Sequence, residues 1–410
     1  MREFHVAIIG AGLGGLALAQ GLNRAGIAFD VYERDPAPDS RIQGYRIRID
    51  ADGQRALAAV LPPDLYMLFR QTASTAATEG RFITPQLEEA TGRVPESWHT
   101  GSSEDDSYKS PDLSVNRHTL REILMCGIEE NIHFGHGFDN YRILEDGRVE
   151  LVFDDADPVV SSLVVGADGV NSRVRTRLAP DAAPNDTGAV CIYGKSPLNR
   201  LDDTTDAYAG TSVVFADGFS AVIDEMRFEG DLSAIARSIA PGCKLTDVDD
   251  YRYWAIICPH DRLGLNPADA PAAGSALGYV LSSLTRNWHP SLRQIIDRTD
   301  LSAVAMLPVR SGRPEVDWRS GPVTLLGDAV HAMSPAGGVG ANTALKDALA
   351  LAGALSSAAT SQHKLVQIVA GYERNMREWA LKAVAVSNRG AAKLFELSGT
   401  APDISKRPGS

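Results

Sequence analysis

The sequence predicts an α/β fold. A Rossmann-like parallel sheet with helices is interleaved with an α+β region on a mostly antiparallel sheet, and a C-terminal helix follows. Three observations predict it. A strand, glycine turn, helix and strand succeed one another between His5 and Asp35. Two further apolar strands, at 163–166 and 323–326, each run into a small-residue turn with an acid. Strand-like runs within 187–306 are separated by turn residues, which is typical of an antiparallel or mixed sheet.

The first unit carries glycines at the spacing G-x-G-x-x-G. Gly10, Gly12 and Gly15 follow the apolar run Val6–Ile9, and a second strand ends on Glu33, eighteen positions after Gly15. Such glycines permit a tight turn, a close approach of a pyrophosphate, and close packing of the helix on the strand. The phosphates then lie at the helix N-terminus, and the acid accepts a hydrogen bond from a ribose hydroxyl. The unit predicts a dinucleotide site, with a purely structural turn as the alternative. It does not distinguish NAD, NADP and FAD.

Composition narrows the class of protein. The chain has 410 residues, of which 44% are hydrophobic and 22% charged, and its net charge is −12. These values are typical of a globular protein of two or three domains. An acidic chain lacks the positive charge that binding to nucleic acid or an anionic membrane requires. We therefore expect neither partner.

The N-terminus and the cysteines bear on location. The first strand begins within five residues, which leaves no room for a signal peptide, and no apolar run is long enough to span a membrane. Cys126, Cys191, Cys243 and Cys258 form no C-x-x-C pair. We expect reduced thiols in a cytoplasmic protein, and no metal site.

Arginines near the first unit are candidates for binding an anion. Arginine alternates with apolar residues over 41–49, which predicts a half-buried strand. This pattern fits a solvated face, or it fits Arg41 or Arg46 reaching a cofactor phosphate or the redox ring. Arg117 falls in the first turn of a helix capped by Asn116, where a cation is poorly placed against the helix dipole. It indicates an anionic partner, with a plain surface arginine as the alternative.

Three motifs together resemble a known family. They are Gly10-Ala11-Gly12-Leu13-Gly14-Gly15, Gly166-Ala167-Asp168-Gly169, and Gly327-Asp328 with the turn at 335–342. In this order they resemble the para-hydroxybenzoate-hydroxylase-like (class A) FAD-dependent monooxygenases, which act on aromatic and polyketide substrates. The resemblance runs from about residue 4 to 395 and is thinnest over 62–112 and 195–300.

The resemblance implies roles for individual residues. The first motif would hold the ADP part of FAD with Glu33 on its ribose, and Arg117 would contact the phosphate or ribityl region. Asp168 would serve both FAD and a nicotinamide cofactor, and Asp328 the ribityl chain. The turn at 337–342 would aim a helix N-terminus at the anionic reduced flavin. The expected cofactor-binding residues are Gly10, Gly12, Leu13, Gly14, Gly15, Glu33, Arg34, Arg41, Arg46, Arg117, Asp168, Asp328, Pro335, Gly338, Gly340, Ala341 and Asn342.

The resemblance also implies a reaction. NADPH or NADH would reduce the FAD transiently, O₂ would add to give a C4a-hydroperoxide, and one oxygen atom would pass to an electron-rich aromatic or polyketide-like molecule. The flavin does this chemistry, so no catalytic side chain is expected. Hydroxylation, epoxidation and Baeyer–Villiger oxidation all remain open. The alternatives are a non-catalytic FAD-binding protein and a flavin-dependent halogenase, although the sequence at 253–256 lacks the W-x-W-x-I-P motif of the halogenases.

Domain limits and a substrate pocket complete the prediction. We expect an FAD-binding domain at 1–61, 112–186 and 307–360, a substrate-binding domain at 62–111 and 187–306, and a C-terminal helix and tail at 361–410. Aromatic and sulfur side chains in the second domain are candidates for the pocket wall, with plain core as the alternative for each. They are Tyr193, Phe215, Met226 and Trp254. We expect a monomer or weak homodimer.

Overall fold

A computed structural model describes residues 4–40, 45–75, 80–90, 111–198, 210–263, 277–357 and 362–395. The strands are β1 (His5–Ile9), β2 (Ala28–Glu33), β3 (Arg46–Ile49), β4 (Gly80–Ile83), β5 (Leu113–Asn116), β6 (Ile132–Phe134), β7 (Phe138–Ile143), β8 (Val149–Phe153), β9 (Val159–Ser161), β10 (Leu163–Gly166), β11 (Asn185–Pro197), β12 (Thr211–Ala216), β13 (Phe219–Met226), β14 (Tyr251–Pro259), β15 (Ala305–Ser311) and β16 (Val323–Leu325). The helices are α1 (Leu13–Arg24), α2 (Ala51–Val60), α3 (Pro63–Gln71), α4 (Arg117–Met125), α5 (Arg173–Leu178), α6 (Leu232–Ile239), α7 (Leu277–Leu284), α8 (Pro290–Asp297), α9 (Asp328–His331), α10 (Gly340–Ser356) and α11 (Gln362–Phe395).

Five parallel strands form the first sheet, in the order β16-β10-β1-β2-β6. Residues 6–9 of β1 are almost completely buried, as expected of a strand covered on both faces. The register pairs Ile9 with Gly166 and Gly166 with Leu325. The three strands β1, β10 and β16 therefore end level with one another, and the turns that follow them meet at one edge of the sheet.

Six strands form the second sheet, in the order β15-β11-β14-β13-β12-β4. All its neighbouring pairs are antiparallel except β12 and β4. One face packs on α7 and α8 through a buried cluster that includes Trp254, Ile295 and Leu281. The two sheets together confirm the predicted fold class, a parallel α/β part interleaved with a mostly antiparallel one.

The two-stranded ribbon of β3 and β5 lies between these parts of the chain. Strand β3 covers Arg46–Ile49 of the predicted strand, and residues 41–44, including Arg41, lie outside the described residues.

The predicted hairpin with Asp146 and Gly147 at its turn is confirmed, and Gly147 adopts the left-handed φ of 81° that favours glycine. Helix α4 begins after Asn116, whose side chain accepts from the backbone of residues 118 and 119, which confirms the predicted cap.

The core does not follow the predicted domain limits at every element. Helix α3, within 62–111, and helix α6, within 187–306, bury apolar side chains in the cluster around the parallel sheet. Strand β4 instead joins the six-stranded sheet. The domain limits stay a prediction. Helices α3 and α6, which the prediction gives to the substrate-binding domain, pack against the parallel sheet.

Two of the four cysteines correct the prediction of reduced thiols. Cys126, at the end of α4, forms a disulfide with Cys243, and their Cα atoms are 5.3 Å apart. The segment after α6 is also held to α4 by Thr246, whose backbone N–H donates to Glu122 at 3.0 Å. Sequence spacing gave no sign of this pair because 117 positions separate its members. Reduced thiols therefore no longer support the predicted cytoplasmic location. Cys191 and Cys258 are buried free thiols.

Among the described helices, none combines the length and apolar character that a transmembrane span requires.

Reduction of the Cys126–Cys243 disulfide is expected to lower the free energy of unfolding by about 2–5 kcal/mol, because the bond closes a long loop in the unfolded chain. Urea unfolding with and without dithiothreitol measures the difference. The double variant Cys126→Ala/Cys243→Ala serves as the control, since its stability should not respond to the reductant. An unfolding curve of the natural chain that is unchanged by dithiothreitol would contradict the prediction.

Candidate active site

The glycine turn after β1 is built by close packing. Gly10 has a φ of 109°, and a Cβ atom there would lie 2.5 Å from the Ala167 carbonyl oxygen. A Cβ at Gly15 would lie 2.2 Å from the Gly10 carbonyl oxygen, so only glycine lets α1 approach the strand this closely. A Cβ at Gly12 would meet no described atom within 4 Å. The space above Gly12 is therefore left open at the N-terminus of α1.

Glu33 and Arg121 hold this turn from two sides. The Glu33 carboxylate, 9% exposed, accepts from the Ala11 backbone N–H at 2.8 Å and from the Asp35 N–H at 3.0 Å. Arg121 of α4 donates from Nε to the Ala11 carbonyl at 2.9 Å. Sequence reasoning missed Arg121, although it lies one helical turn after Arg117 on the same face of α4.

Two cavities meet at this turn. The larger has a volume of about 490 Å³ and the smaller about 210 Å³. Both are lined by Gly12, Arg117, Ala167 and Gly169, so they form one continuous trough over the ends of β1 and β10. An elongated ligand fits a trough of this shape better than a compact one does.

Most of the predicted cofactor-binding residues line the trough. The larger cavity takes in Gly12, Leu13, Gly14, Gly15, Arg46, Arg117, Asp328, Pro335, Gly338, Gly340 and Ala341. The smaller takes in Gly10, Gly12, Glu33, Arg34, Arg117 and Asp168. Arg41 lies outside the described residues.

Asn342 lies outside the described lining of both cavities. Its amide nitrogen donates to the carbonyls of Arg48 and Gly338 at 3.1 Å, and its amide oxygen accepts from the Asp50 backbone N–H at 3.1 Å. The side chain therefore joins α10 to the β3–α2 corner and fixes the turn at 335–340. Asn342 therefore supports the turn that lines the cavity and does not itself line it.

Asp168 marks the turn after β10. Its Oδ2 accepts from the backbone N–H groups of Arg173 at 2.8 Å and Val174 at 3.2 Å, which caps α5. Its Oδ1 is buried at the smaller cavity with no hydrogen-bond partner among the described residues. Burial raises the pKa of Asp168, and the side chain of Ser172 and the N–H groups of Val174 and Arg173 act against that rise. A buried acceptor without a donor suits a ligand hydroxyl.

The turn after β16 is held by a buried network around Asp347. Its carboxylate accepts from the Gly327 backbone N–H at 2.9 Å, from His331 Nε2 at 2.6 Å and from Trp379 Nε1 at 2.7 Å. Gly327 has a φ of 64°, and the exposed Asp328 next to it lines the larger cavity. By holding the Gly327 N–H, the network fixes the turn that carries Asp328 at the edge of the cavity.

The far wall of the larger cavity is one face of the six-stranded sheet. Alternate residues of β11, β12 and β14 face it, as the period of a strand requires, and β13 adds Val222. The wall residues are Cys191, Tyr193, Thr211, Val213, Val222, Tyr253, Ala255 and Ile257. Sequence reasoning found Tyr193 and missed the rest. Strand alternation groups Tyr253, Ala255 and Ile257 together, but nearly all of β14 is buried on both faces and so gives no sign of which set faces the cavity.

The other three predicted pocket residues lie outside the described lining of the cavity. Trp254 is fully buried on the opposite face of β14, where its Nε1 donates to Thr299 at 2.8 Å. Met226 is fully buried next to Tyr251 and lies outside the described lining. Phe215 is half-buried and stacks on Phe82, which lines the cavity, with the ring centroids 5.9 Å apart. We therefore assign Trp254 and Met226 to the core, which was the alternative for each, and Phe215 stays a prediction.

The trough fits FAD. The open space above Gly12, the α1 N-terminus and Arg117 suit a pyrophosphate, and Glu33 lies in the smaller cavity, where an adenosine ribose would be held. The N-terminus of α10 faces the larger cavity through Gly340 and Ala341. Among the described residues there is no cluster of side chains suited to a metal ion.

Comparisons with known proteins agree with this geometry. A model of the FAD binding domain matches residues 260–387, and a model of the NAD(P)-binding Rossmann-like domain matches residues 8–61. An FAD-dependent monooxygenase of Aspergillus fumigatus is 30% identical, and the alignment covers 87% of either protein. A crystal structure from Photorhabdus luminescens, designated an FAD containing monooxygenase, is 29% identical, with a TM-score of 0.79 and coverage of 97% of this chain and 100% of that one.

A further relative is longer than this chain. A dual O-methyltransferase/FAD-dependent monooxygenase of Phaeosphaeria nodorum is 33% identical over 95% of this chain, which spans only 46% of that protein. The similarity therefore concerns about half of that relative's length.

Gly12→Ala is expected to weaken FAD binding at least about tenfold, or about 1.4 kcal/mol, because the added methyl group enters the trough while meeting no described protein atom. The backbone at Gly12 has a φ of −79°, so alanine is not strained there. Titration of the apoprotein with FAD gives the affinity, and unfolding of the apoprotein shows that the fold is kept.

The matched control is Gly353→Ala in the exposed part of α10, where a Cβ also meets nothing within 4 Å. It should leave the FAD affinity unchanged. Equal FAD affinities for the two variants would show that the space above Gly12 is not used by the cofactor.

The Asp347 network should make stability depend on pH. Burial lowers the pKa of His331, but the Asp347 carboxylate outweighs burial and raises that pKa above its ordinary value. Because the pKa of His331 is raised in the folded state, its pairing with Asp347 adds to the free energy of unfolding. That stabilisation is full below about pH 6.5 and is lost as the pH rises through the folded-state pKa. The advantage of the natural chain over His331→Gln in urea unfolding should therefore shrink from pH 6 to pH 9. A constant difference across that range would show that His331 does not titrate differently on folding.

Proposed function

Because this chain belongs to the FAD-dependent monooxygenases, we propose that it uses NADPH or NADH and O₂ to place one oxygen atom on an electron-rich aromatic or polyketide-like small molecule. FAD is its cofactor. The observation that carries the proposal is the trough itself. It starts at Glu33, passes the ends of three parallel strands, and opens into a chamber on the face of the second sheet.

The residues of the trough divide into two groups. Glu33, Gly12 and Arg117 would hold the ADP part of FAD, with Arg34 at the edge of the smaller cavity. Asp328 would meet the ribityl chain, and the turn at 335–341 would lie against the ring. When bound, FAD supplies the electron transfer and the activation of O₂.

The N-terminus of α10 has a role of its own in this proposal. Its first residues, Gly340 and Ala341, face the larger cavity with backbone N–H groups that have no acceptor within the helix. These donors and the helix dipole stabilise negative charge next to them. They would favour the reduced, anionic state of a ring held there.

The chamber wall suits a flat, mostly apolar substrate. Val213, Val222, Ala255 and Ile257 supply an apolar surface, and they exclude water from the space in front of the ring site. Burial raises the pKa of Tyr193, so its phenol stays protonated at neutral pH and can donate a hydrogen bond. The wall combines a few hydrogen-bonding side chains with a mostly apolar surface, as small-molecule sites usually do.

The nicotinamide cofactor is proposed to bind transiently. In the described residues, only the unit of β1, its glycine turn and α1 has the G-x-G-x-x-G spacing of a dinucleotide site. The proposed ADP site of FAD already occupies that unit. NADPH or NADH would therefore reach the ring from the open trough and leave after reducing it. Comparing NADPH with NADH in the assay described next decides which of the two the chain uses.

The test is oxygen transfer by the purified, FAD-loaded chain. NADPH or NADH oxidation and O₂ uptake are followed with and without hydroxylated naphthalenes, and products are analysed by mass spectrometry under ¹⁸O₂. We expect stimulated turnover of one nicotinamide per O₂ and incorporation of one ¹⁸O atom. An FAD-loaded chain that never transfers ¹⁸O with either nucleotide would overturn the proposal and favour a binding protein. A chloride-dependent product would favour a halogenase.

A further inference from the structure

Arg46 lies at the wall of the larger cavity, where the ribbon of β3 and β5 crosses the second sheet. It pairs with Asn116 across the ribbon. Its guanidinium Nε lies 2.5 Å from Asp224 Oδ2 on β13 and donates to Ser114 Oγ at 3.1 Å. The Arg46 side chain is 14% exposed, and it lines the cavity. This arginine is therefore attached to the substrate wall of the chamber rather than to the glycine turn.

Asp224 fixes the guanidinium. Its side chain is 2% exposed, and its Oδ1 accepts from Thr211 Oγ1 at 3.1 Å and from the Glu225 N–H at 2.9 Å. Its Oδ2 accepts from Ser114 Oγ at 3.3 Å in addition to Arg46. A buried carboxylate with this many donors has little freedom to move. It holds Arg46 in one orientation and balances its charge.

The hydrogen bond and the ion pair that Arg46 makes with the described chain both run through Nε. Its two terminal nitrogens carry four further N–H donors in a planar fork, which suits an oxygen acceptor bidentately. The other arginines of the wall are engaged differently. Arg48 donates to Asp112 at 2.6 Å, Arg310 lies 3.0 Å from Asp186, and Arg117 lies over the Tyr45 ring. Arg46 is thus a fixed donor fork at the edge of an aromatic wall.

The surroundings of the fork indicate what it takes. Tyr45 and Tyr193 pack with ring centroids 4.7 Å apart, and both line the cavity with Tyr253. Such rings favour a flat aromatic ligand. Because Asp224 already balances Arg46, the fork does not require a strong acid as its partner. A phenol is a flat aromatic ring with a weakly acidic oxygen, so it suits both the rings and the fork. A guanidinium at hydrogen-bond distance favours the ionised form of that oxygen.

We propose that Arg46 is a substrate-binding residue whose terminal nitrogens bind and orient a phenol oxygen of a hydroxylated polycyclic aromatic substrate. This inference rests on the proposed function and names its substrate class. It also gives Arg46 a different role from the cofactor contact expected from the sequence. Ionisation of the phenol makes the ring more electron-rich, as oxygen transfer to the ring requires.

The experiment measures binding, so it does not depend on turnover. The FAD-loaded chain is titrated with 1-naphthol and with 1-methoxynaphthalene, which has the same ring but cannot ionise, and binding is read from the flavin absorbance and by calorimetry. Arg46→Lys keeps the charge next to Asp224 but loses the fork. The second variant, Arg46→Gln/Asp224→Asn, removes both charges and so leaves no unpaired buried ion. Arg142→Gln is the control, since Arg142 is a surface side chain that is 69% exposed.

We expect the natural chain and Arg142→Gln to bind 1-naphthol more tightly than its ether, increasingly so as the pH rises. Both Arg46 variants should lose about tenfold or more in 1-naphthol affinity, keep the affinity for the ether, and keep their FAD. Three results would overturn the inference. They are a natural chain that does not favour 1-naphthol, Arg46 variants that retain the preference, and variants that lose FAD instead, which would return Arg46 to the cofactor. Failure of ¹⁸O transfer with this binding pattern intact would count against the proposed function alone.

Discussion

The site depends on the close approach of α1 to β1. A carbonyl oxygen of Gly10 lies where a side chain at Gly15 would have to begin, with only 2.2 Å between them. That approach lets the N-terminus of α1 point along the end of the strand, with the space above Gly12 left open. Because β1, β10 and β16 end in register, the turns that carry Asp168 and Asp328 lie beside the same opening. The steric constraint at this pair of glycines keeps the site open, and the register of the strands brings three distant parts of the chain to it.

Much of this half of the site could be predicted from the sequence. The glycine spacing, the acid at Glu33 and the apolar strands before Asp168 and Asp328 are local patterns, and each places its residues within a few positions of a turn. The register of parallel strands then brings the turns together. The exception was Asn342, whose place in a family motif gives no indication that its side chain supports the turn at 335–340.

The second sheet was predictable in kind but not in detail. Runs such as 251–257 indicate strands, yet a strand buried on both faces carries no pattern that tells one face from the other. Trp254 was therefore a reasonable candidate for the pocket and is a core residue. The Cys126–Cys243 bond and the contact of Arg46 with Asp224 also escaped prediction. Both join residues that are far apart in the sequence, and nothing local to either partner records the other.

The alternation along the second sheet has a consequence for how this enzyme could diversify. Cys191, Tyr193 and Tyr253 face the chamber, while their neighbours Ile192 and Trp254 pack against α7 and α8. Changes at every second position can therefore reshape the chamber while the layer that holds the sheet together stays intact. Whole-sheet exchange between relatives is a poorer route, because α3, α6 and a disulfide bind the sheet's connecting segments to the other part of the chain. A mutant library for new substrates would accordingly be confined to one face of β11–β14.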